Sequence, residues 1–536
     1  MSDALTRGAQ AARRRTFAII SHPDAGKTTL TERLLLAGGA IHLAGQVRAR
    51  GESRRTRSDW MRIERERGIS VSASVMTFER DGIVFNLLDT PGHEDFSEDT
   101  YRTLTAADSA IMVLDAAKGV EPRTLKLVEV CRLRDIPIIT FINKMDREAR
   151  DSFELLDDIG DKLQLDASPF YWPVGSGQRF RGAIDLSTEE LLVYKRAEAD
   201  APVADAERVS LSSNSIANYL ERDELDAARE ESQTAKAICP AFIEKSFREG
   251  HMTPVFWGSA LRHFGIKQLL DGIATLSPPP HEQAAENKTG HFEIQPADPE
   301  VTGFVFKIQA NMDPQHRDRV AFVRLSSGKF TRGMRLKTAS GKAMNVHNPL
   351  MFFAQDREIA DEAFPGDVIG VPNHGVLRVG DSLSESGNVR FRGIPNFAPE
   401  ILRRARLGDP LKAKHLRRAL ESLSEEGVTQ LFRPFIGADL IVGAVGALQF
   451  EVLEERVKDE YGIAVAFEPA PYSAARWISS DDPAALQGFV DKNQSLLAFD
   501  IDESPVFLAK NNWELGYVQE KNPNIKFSAS RERDLT

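Results

Sequence analysis

The chain has 536 residues, with 68 Lys and Arg against 79 Asp and Glu, a formal net charge of −11 and 42% hydrophobic residues. This length and balance indicate a globular protein of about three domains, and they give no general sign of a nucleic-acid partner such as DNA. Two cysteines exclude a disulfide framework and a cysteine zinc site. Because no apolar stretch is long enough for a signal peptide or a membrane span, we expect a cytoplasmic protein without a membrane partner.

Short apolar runs alternate with helical patterns through the first 280 residues. The runs lie at 17–20, 82–89, 109–116, 136–143 and 254–260. Such alternation predicts an α/β domain with a doubly wound, mostly parallel sheet. Asp81-Gly82 separates two apolar runs and predicts a hairpin, so one edge pair should be antiparallel.

The pattern changes twice after this part of the chain. Three prolines from Pro278 end a helical pattern that starts at Ile266. Short strands with glycine turns then predict a small β-barrel, and helices that alternate with strands predict an α+β domain. The predicted organisation is a first domain at 1–280, a linker at 281–300, the barrel at 301–392 and the α+β domain at 393–536.

The segment SHPDAGKT lies between the first apolar run and a helical pattern, where phosphate-binding loops occur. In the pattern G-x-x-x-x-G-K-[ST], backbone N–H groups surround phosphates, the lysine reaches the β- and γ-phosphates, and the hydroxyl ligates Mg²⁺. Ser21 stands where the first glycine belongs, so the match alone also fits an ordinary strand–helix connection. The candidate nucleotide contacts are Ser21, His22, Pro23, Asp24, Ala25, Gly26, Lys27 and Thr28.

The motif DTPGH follows the run at 82–89 and adds a second phosphate-directed group. Asp89 at the end of a strand can hold Mg²⁺ through water, and Gly92 can offer its N–H to a γ-phosphate. The candidate contacts in this motif are Asp89, Thr90, Pro91, Gly92 and His93.

Two further motifs at predicted strand ends suit guanine. The carboxylate of Asp146 can accept hydrogen bonds from N1–H and the exocyclic amine of guanine, which adenine cannot supply. We expect Lys144 to pack along the base, Asn143 to tether the loop and the Ala260 N–H to contact guanine O6. The candidates are Asn143, Lys144, Met145, Asp146, Ser259 and Ala260.

Each motif alone is weak, since Asp and Asn also cap helices and turns. Together and in this order, they occupy the strand ends at which open α/β sheets bind ligands. The sequence therefore predicts a GTPase that uses GTP or GDP with Mg²⁺.

DTPGH together with RGIS at 67–70 resembles the translational GTPases. In that family the histidine after DxPG orients the attacking water, which implies His93 as the catalytic residue. The family's RGIT threonine completes the Mg²⁺ shell; Ser70 stands there in this chain and keeps the hydroxyl. The resemblance thus implies a metal site of Thr28, Ser70 and, through water, Asp89, and it suggests that Asp24 ligates a monovalent cation.

Two features narrow the resemblance. The stretch between Asn143 and Ser259 is longer than one strand and one helix require, so we expect an insertion at about 150–250, as in the elongation factor G branch. The segment 303–334, which contains KIQANMDPQHRDR, resembles the second domain of the bacterial peptide chain release factor three family. This resemblance covers essentially the whole chain, and we expect no counterpart of the last two domains of elongation factor G.

That resemblance implies a ribosome-stimulated GTPase that promotes dissociation of codon-reading release factors after peptide release. The ribosome would be the direct partner, through its RNA and proteins, and the codon-reading factors would be indirect ones. Two alternatives stay open: another ribosome-bound GTPase, of the translocation or stress type, and a GTP-switched binding module whose hydrolysis is incidental.

Two basic segments have both a structural and a functional interpretation. One is the arginine-rich stretch 47–68, and the other runs from Arg403 to Arg418. Each is either a solvated charged face or a contact for ribosomal RNA. We expect His22 to be structural, and Cys131, within an apolar helical pattern, to belong to the core.

Overall fold

The computed structural model describes residues 2–41, 72–194, 206–310, 319–353, 357–393, 396–427 and 429–531. Ser70 and the segment 47–68 lie outside these residues. Among the described helices, none is long and apolar enough to span a membrane.

Helices occur in the N-terminal half and again near the C-terminus. They are α1 (Ser2–Ala12), α2 (Lys27–Ala37), α3 (Ser97–Leu104), α4 (Pro122–Arg132), α5 (Ser152–Leu163), α6 (Arg222–Ile238), α7 (Glu244–Arg248), α8 (Ile266–Leu276), α9 (Ala413–Glu425), α10 (Ala447–Tyr461), α11 (Pro483–Lys492) and α12 (Asn512–Lys521). Short 3₁₀ segments lie at Glu94–Phe96, Gly177–Arg179, Asn214–Asn218, Pro410–Lys412 and Gln494–Leu496.

The first sheet has seven strands in the order β2-β3-β1-β4-β5-β11-β6. The strands up to β11 are β1 (Arg14–Ser21), β2 (Ser74–Arg80), β3 (Ile83–Asp89), β4 (Ser109–Asp115), β5 (Ile138–Asn143), β6 (Asp166–Pro169), β7 (Tyr171–Val174), β8 (Gly182–Asp185), β9 (Glu190–Val193), β10 (Glu207–Ser210) and β11 (Met252–Trp257). Within the seven-stranded sheet, neighbouring strands pair in parallel, except that the edge strand β2 is antiparallel to β3. The predicted parallel sheet and edge hairpin are confirmed.

Apolar side chains of this sheet pack into two cores, one on each face. Along β1, Ile20 belongs to the core that contains Cys131 of α4, whereas Ile19 belongs to the core that contains Leu34 of α2. Successive side chains of a strand point to opposite faces, so a strand that is apolar throughout needs helices on both sides. Cys131 is fully buried, as predicted, and burial raises the pKa of its thiol to about 12.

Between β6 and β11 the chain adds a smaller antiparallel sheet, in the order β10-β9-β8-β7, and the helix α6. Glu224 accepts a hydrogen bond of 3.0 Å from the Glu221 N–H, which caps the start of α6. Trp172 of β7 is buried and donates its indole N–H to Glu231 of α6 at 3.0 Å, which ties the helix to the sheet.

The next part of the chain is rich in strands. These are β12 (Gln283–Asn287), β13 (Gly290–Ile294), β14 (Thr302–Ala310), β15 (Arg319–Ser327), β16 (Phe330–Thr331), β17 (Arg335–Thr338), β18 (Ala343–Asn345), β19 (Leu350–Phe352), β20 (Arg357–Ile359), β21 (Glu362–Ala363), β22 (Val368–Asn373), β23 (Ser382–Ser384) and β24 (Arg390–Phe391). Eight of them form an antiparallel sheet in the order β18-β17-β23-β14-β15-β22-β19-β20. A β-rich domain therefore follows the first sheet, in agreement with the predicted fold class.

The C-terminal part mixes strands and helices. Its strands are β25 (Asn396–Phe397), β26 (Ile401–Leu407), β27 (Gln430–Pro434), β28 (Ile441–Ala444), β29 (Val465–Pro469), β30 (Ala474–Ser479), β31 (Leu497–Phe499), β32 (Pro505–Ala509), β33 (Lys526–Ser528) and β34 (Ser530–Arg531). Eight form one sheet, β29-β26-β28-β27-β31-β32-β30-β33, in which β27 joins two halves. Helices α9 and α10 pack on one half, and α11 and α12 on the other, which confirms the α+β prediction.

Candidate nucleotide site

The loop between β1 and α2 is fixed against the end of β5. Gly26 immediately precedes α2 with φ 97°, and a Cβ there would lie 2.4 Å from Asn143 Nδ2. The same Nδ2 donates to Ala25 O at 2.8 Å. Only glycine fits this close approach with a left-handed backbone. The first N–H groups of α2 have no intrahelical partner, which suits them to an anion.

The other predicted residues of this loop differ in exposure. Those that are buried are Ser21, His22, Ala25 and Lys27; those that are half-buried are Gly26 and Thr28; those that are exposed are Pro23 and Asp24. The Nδ1 of His22 contacts the carboxylate of Glu121, and burial lowers the pKa of the imidazole. His22 therefore holds the loop against the segment that precedes α4, in keeping with a structural role.

Lys27 and Asp89 form a buried ion pair between the two phosphate-directed motifs. Lys27 Nζ lies 2.5 Å from Asp89 Oδ1, and both side chains are almost inaccessible to solvent. Thr90 donates its hydroxyl to Ile19 O at 2.6 Å, which attaches the DTPGH segment to β1. Pro91 is buried and Gly92 is half-buried, and a Cβ at Gly92 would lie 3.9 Å from Lys27 Cε. The structure thus brings the SHPDAGKT and DTPGH motifs together at one edge of the sheet.

The NKMD and GSA motifs also form one unit. Asp146 Oδ1 accepts a hydrogen bond of 2.5 Å from the Ser259 hydroxyl, and Met145 N donates to Gly258 O at 3.0 Å. The Ala260 N–H, which was expected to contact guanine O6, donates instead to Asn143 Oδ1 at 2.9 Å. Asn143 thus links both loops through this amide, and the contact of Ala260 with guanine O6 in the nucleotide-bound form stays a prediction.

Lys144 connects this unit to the phosphate loop. Its Nζ donates to Asp24 O and, at 2.8 Å, to Asp115 Oδ2 at the end of β4. Burial alone would raise the pKa of Asp115, but the hydrogen bond from Lys144 holds it below its usual value. Asp115 was not singled out from the sequence, although it lies at the end of an apolar strand, as Asp89 does.

His93 lies at a turn that several neighbours hold. It is 35% exposed, its Nδ1 accepts a hydrogen bond of 3.3 Å from the Asp95 N–H, and its carbonyl accepts one of 2.9 Å from Arg123. The ring meets the edge of Phe96 at 6.3 Å between centroids. Asp95 and Arg123 were not singled out from the sequence, since neither belongs to a recognised motif.

The helix α3 after this turn touches two other parts of the chain. Glu98 Oε1 accepts from Phe397 N at 3.3 Å, and Arg102 donates to Gly427 O at 2.5 Å. On another side, Asp99 accepts from Ala73 N at 2.7 Å, and Lys307 of β14 donates to Ala73 O. The segment that carries His93 is therefore enclosed by both the β-rich and the C-terminal parts.

The basic cluster at the start of the C-terminal part is largely engaged in internal contacts. Arg403 stacks over the Phe450 ring at 4.6 Å, Arg404 pairs with Asp439 at 3.1 Å, and Arg406 pairs with Glu468 at 2.9 Å. These contacts account for the three arginines without a nucleic acid. Further along the same segment, the exposed basic residues of α9 are Lys414, Arg417 and Arg418.

The match to a family defines the class of protein. Residues 12–279 match the family model of the elongation factor Tu GTP binding domain, half of the whole sequence, so the chain belongs to that family. It is a translational GTPase, a hydrolase that converts GTP to GDP. The family implies binding of GTP and GDP and interaction with the ribosome.

Two further matches narrow the class. Residues 300–386 match elongation factor G domain 2, and residues 391–519 match the C-terminal domain of class II release factor RF3. The three matches together indicate a class II release factor of the RF3 type, which confirms the resemblance found in the sequence. A crystal structure of a Thermus thermophilus protein, 24% identical, aligns over 87% of this chain and 70% of its own with a TM-score of 0.67, and thus shares the fold.

Proposed function

We propose that this chain is a ribosome-stimulated GTPase of translation termination, which promotes the dissociation of codon-reading release factors after peptide release. The observation that carries the proposal is the match of 391–519 to the RF3 C-terminal domain, next to a GTP-binding domain. We also propose domain boundaries near residues 280, 300 and 392 and an insertion at about 150–250, as the sequence pattern indicates.

The four loops at the sheet edge would bind the nucleotide. Lys27 supplies the positive charge for the β- and γ-phosphates, and the N–H groups at the start of α2 add a fixed dipole. Asp146 would recognise guanine, and its hydrogen bond with Ser259 orients the carboxylate for that purpose. A GTP-bound form requires Lys27 to exchange its pairing with Asp89 for the phosphates.

The residues also fit Mg²⁺. Asp89 and Thr28 offer the hard oxygen donors that Mg²⁺ prefers, and both lie beside Lys27 at the phosphate loop. Asp89 would act through water and Ser70 would complete the shell. When bound, the ion would neutralise phosphate charge.

Hydrolysis would then depend on the placement of water. Phosphoryl transfer relies mostly on positioning and electrostatic stabilisation, so a side chain that orients the attacking water has a large effect. His93 would take this role, and its turn is held by Asp95 and Arg123. Lys27 would stabilise the charge that develops on the phosphate oxygens.

The action on release factors would be indirect. A ligand shifts a conformational equilibrium only by its different affinity for the two states. In its GTP form the protein would bind one conformation of the ribosome more tightly, and that conformation would release the codon-reading factor. Binding to the ribosome and ejection of the factor must then share one dependence on the nucleotide.

The test combines His93→Ala with a termination assay on purified ribosomes. The variant should bind GTP nearly as well as the wild type but lose at least ~10²-fold in ribosome-stimulated single-turnover hydrolysis. Wild-type protein with GTP should accelerate multiple-round termination and leave single-round peptide release unchanged. A normal single-turnover rate in the variant would exclude the role of His93. Stimulation that persists without guanine nucleotide, or an effect on translocation alone, would contradict the termination function.

A further inference from the structure

Asp95, two residues after His93, contacts the C-terminal part of the chain directly. Its Oδ2 accepts a hydrogen bond of 2.6 Å from the backbone N–H of Leu448, the second residue of α10. Its Oδ1 lies 3.5 Å from His93 Nδ1, and its own N–H donates to the same nitrogen at 3.3 Å. One residue therefore joins the imidazole to a helix 353 positions away in the sequence.

The residue before α10 cannot cap the helix with a side chain. Gly446 precedes the helix and has no side chain, although the first N–H groups of a helix need acceptors. Asp95 supplies the missing acceptor for Leu448, and its negative charge also suits the positive end of the helix dipole. Gln449 turns back to accept from the N–H groups of Val445 and Gly446, at 2.6 and 3.2 Å. The contact with Asp95 thus completes the start of the helix from across the interface.

Position 446 needs glycine because of its contact with Asp95 and not because of its backbone conformation. Its φ of −134° and ψ of 165° are extended angles that alanine adopts without strain. A Cβ at this position would lie 1.9 Å from Asp95 Cγ and 2.2 and 2.4 Å from the two carboxylate oxygens. Its three nearest neighbours within 4 Å all belong to Asp95, so a methyl group would act on that carboxylate first.

We propose that Asp95 is a positioning residue for GTP hydrolysis, which couples the placement of α10 to the orientation of His93. When α10 stays against the GTP-binding domain, Leu448 holds the carboxylate and the turn presents the imidazole in one orientation. When α10 moves away, Asp95 loses its donor and the turn loses this restraint. The inference rests on the proposed role of His93.

The test is a double-mutant cycle with Asp95→Ala, Gly446→Ala and the double variant, measured as single-turnover GTP hydrolysis on ribosomes. Each single variant should lower the rate constant by about 10-fold, the usual scale for coupled contacts. The double variant should be no slower than either single one, because removal of the carboxylate makes room for the methyl group. Affinity for a non-hydrolysable GTP analogue should stay unchanged in all three.

Two matched variants separate positioning from a loss of folding. Asp95→Asn keeps an oxygen that can accept from Leu448, so it should recover most of the rate. In Gly488→Ala, on α11, the added methyl group meets none of the described residues within 4 Å, and the variant should hydrolyse GTP at the wild-type rate. Thermal unfolding of every variant shows whether the fold persists.

The results distinguish this inference from the proposed function. If His93→Ala loses hydrolysis while Asp95→Ala and Gly446→Ala keep the full rate, the coupling is wrong and the role of His93 stands. Losses that multiply in the double variant, or an Asp95→Asn variant as slow as Asp95→Ala despite normal folding, would also overturn the coupling. A normal rate in His93→Ala would instead overturn the proposed function on which it rests.

Discussion

The GTP-binding domain contacts its two neighbours in different ways. Toward the β-rich domain its contacts include two pairs of opposite charges that are both buried, Arg324 with Asp108 at 2.6 Å and Arg14 with Asp367 at 2.8 Å. Toward the C-terminal domain its charged side chains contact backbone groups, as when Asp95 accepts from an N–H and Arg102 donates to a carbonyl.

The position of these contacts differs as well. Arg14 is the first residue of β1 and Asp108 immediately precedes β4, so both lie at the ends of parallel strands opposite to the nucleotide loops. Asp95 and Arg102 belong to the segment that follows DTPGH. Separating a buried ion pair is strongly unfavourable, whereas one hydrogen bond to the backbone can be exchanged for water at modest cost. We therefore expect the β-rich interface to stay attached and the C-terminal interface to respond to the nucleotide.

The largest effect should follow Arg324→Ala. The change removes the arginine that pairs with the buried Asp108 and leaves the half-exposed His281 as its charged neighbour, and we expect the free energy of unfolding to fall by ~3–5 kcal/mol. Urea unfolding followed by circular dichroism measures it. Lys329→Ala removes an exposed ion pair with Glu362 from the same domain and should cost less than about 1 kcal/mol. Equal losses in both variants would show that the buried pair does not attach the domains.

A smaller loss of stability, with a larger loss of activity, should follow Arg102→Met. The variant loses the hydrogen bond to Gly427 O and leaves the buried Glu98 without its ion pair with Arg102, for which we expect a loss of about 1.5–3 kcal/mol. Because α3 follows the His93 turn, ribosome-stimulated hydrolysis should fall further than in Arg324→Ala when both are compared at the same folded fraction.

The pair Glu98→Gln with Arg102→Met provides the control. Burial raises the pKa of Glu98, so removal of its charge should restore part of the stability lost by Arg102→Met. If the double variant is as unstable as the single one, the unpaired carboxylate is not the cause. If hydrolysis is unaffected in Arg102→Met, the C-terminal interface does not act on the site.

The smallest effect concerns pH at the β-rich interface. A hydrogen bond with Asp108 raises the pKa of His281, so the charged imidazole stabilises the folded state. Its contribution is complete below the unfolded pKa of about 6.5 and is lost as the pH rises through the folded value. The stability difference between wild type and His281→Gln should therefore shrink as the pH rises from about 6 to about 8.

The imidazole is about half exposed, so that difference should stay below about 1 kcal/mol even at low pH. Thermal unfolding of both proteins at several pH values measures it. A difference that does not change with pH, or that grows as the pH rises, would show that the His281 charge plays no part in this attachment.

The nucleotide loops were predictable because parallel strands bring distant motifs to one edge of a sheet. The basic cluster that begins at Arg403 shows what cannot be predicted from motifs and local charge. The β26–β29 pairing places Arg404 directly opposite Glu468, a partner far along the chain that a count of local charge does not include. Asp95 and Leu448 are farther apart still, and the two contacts of Asn143, with Ala25 O and the Ala260 N–H, join loops that the sequence separates by more than 100 residues. The order of motifs along the sequence thus predicts which loops meet at the sheet edge. Contacts between domains can be identified only in the folded chain.

Cys131 offers a way to follow the opening of the GTP-binding domain. A thiol that keeps its proton up to a pKa of about 12 and is closed to solvent reacts with alkylating reagents only after its surroundings unfold. The sequence has one other cysteine, Cys239, which is partly exposed. In a Cys239→Ser background, the alkylation rate of Cys131 would therefore report the rate of local opening around α4. Bound nucleotide should lower this alkylation rate if it stabilises the GTP-binding domain against local opening.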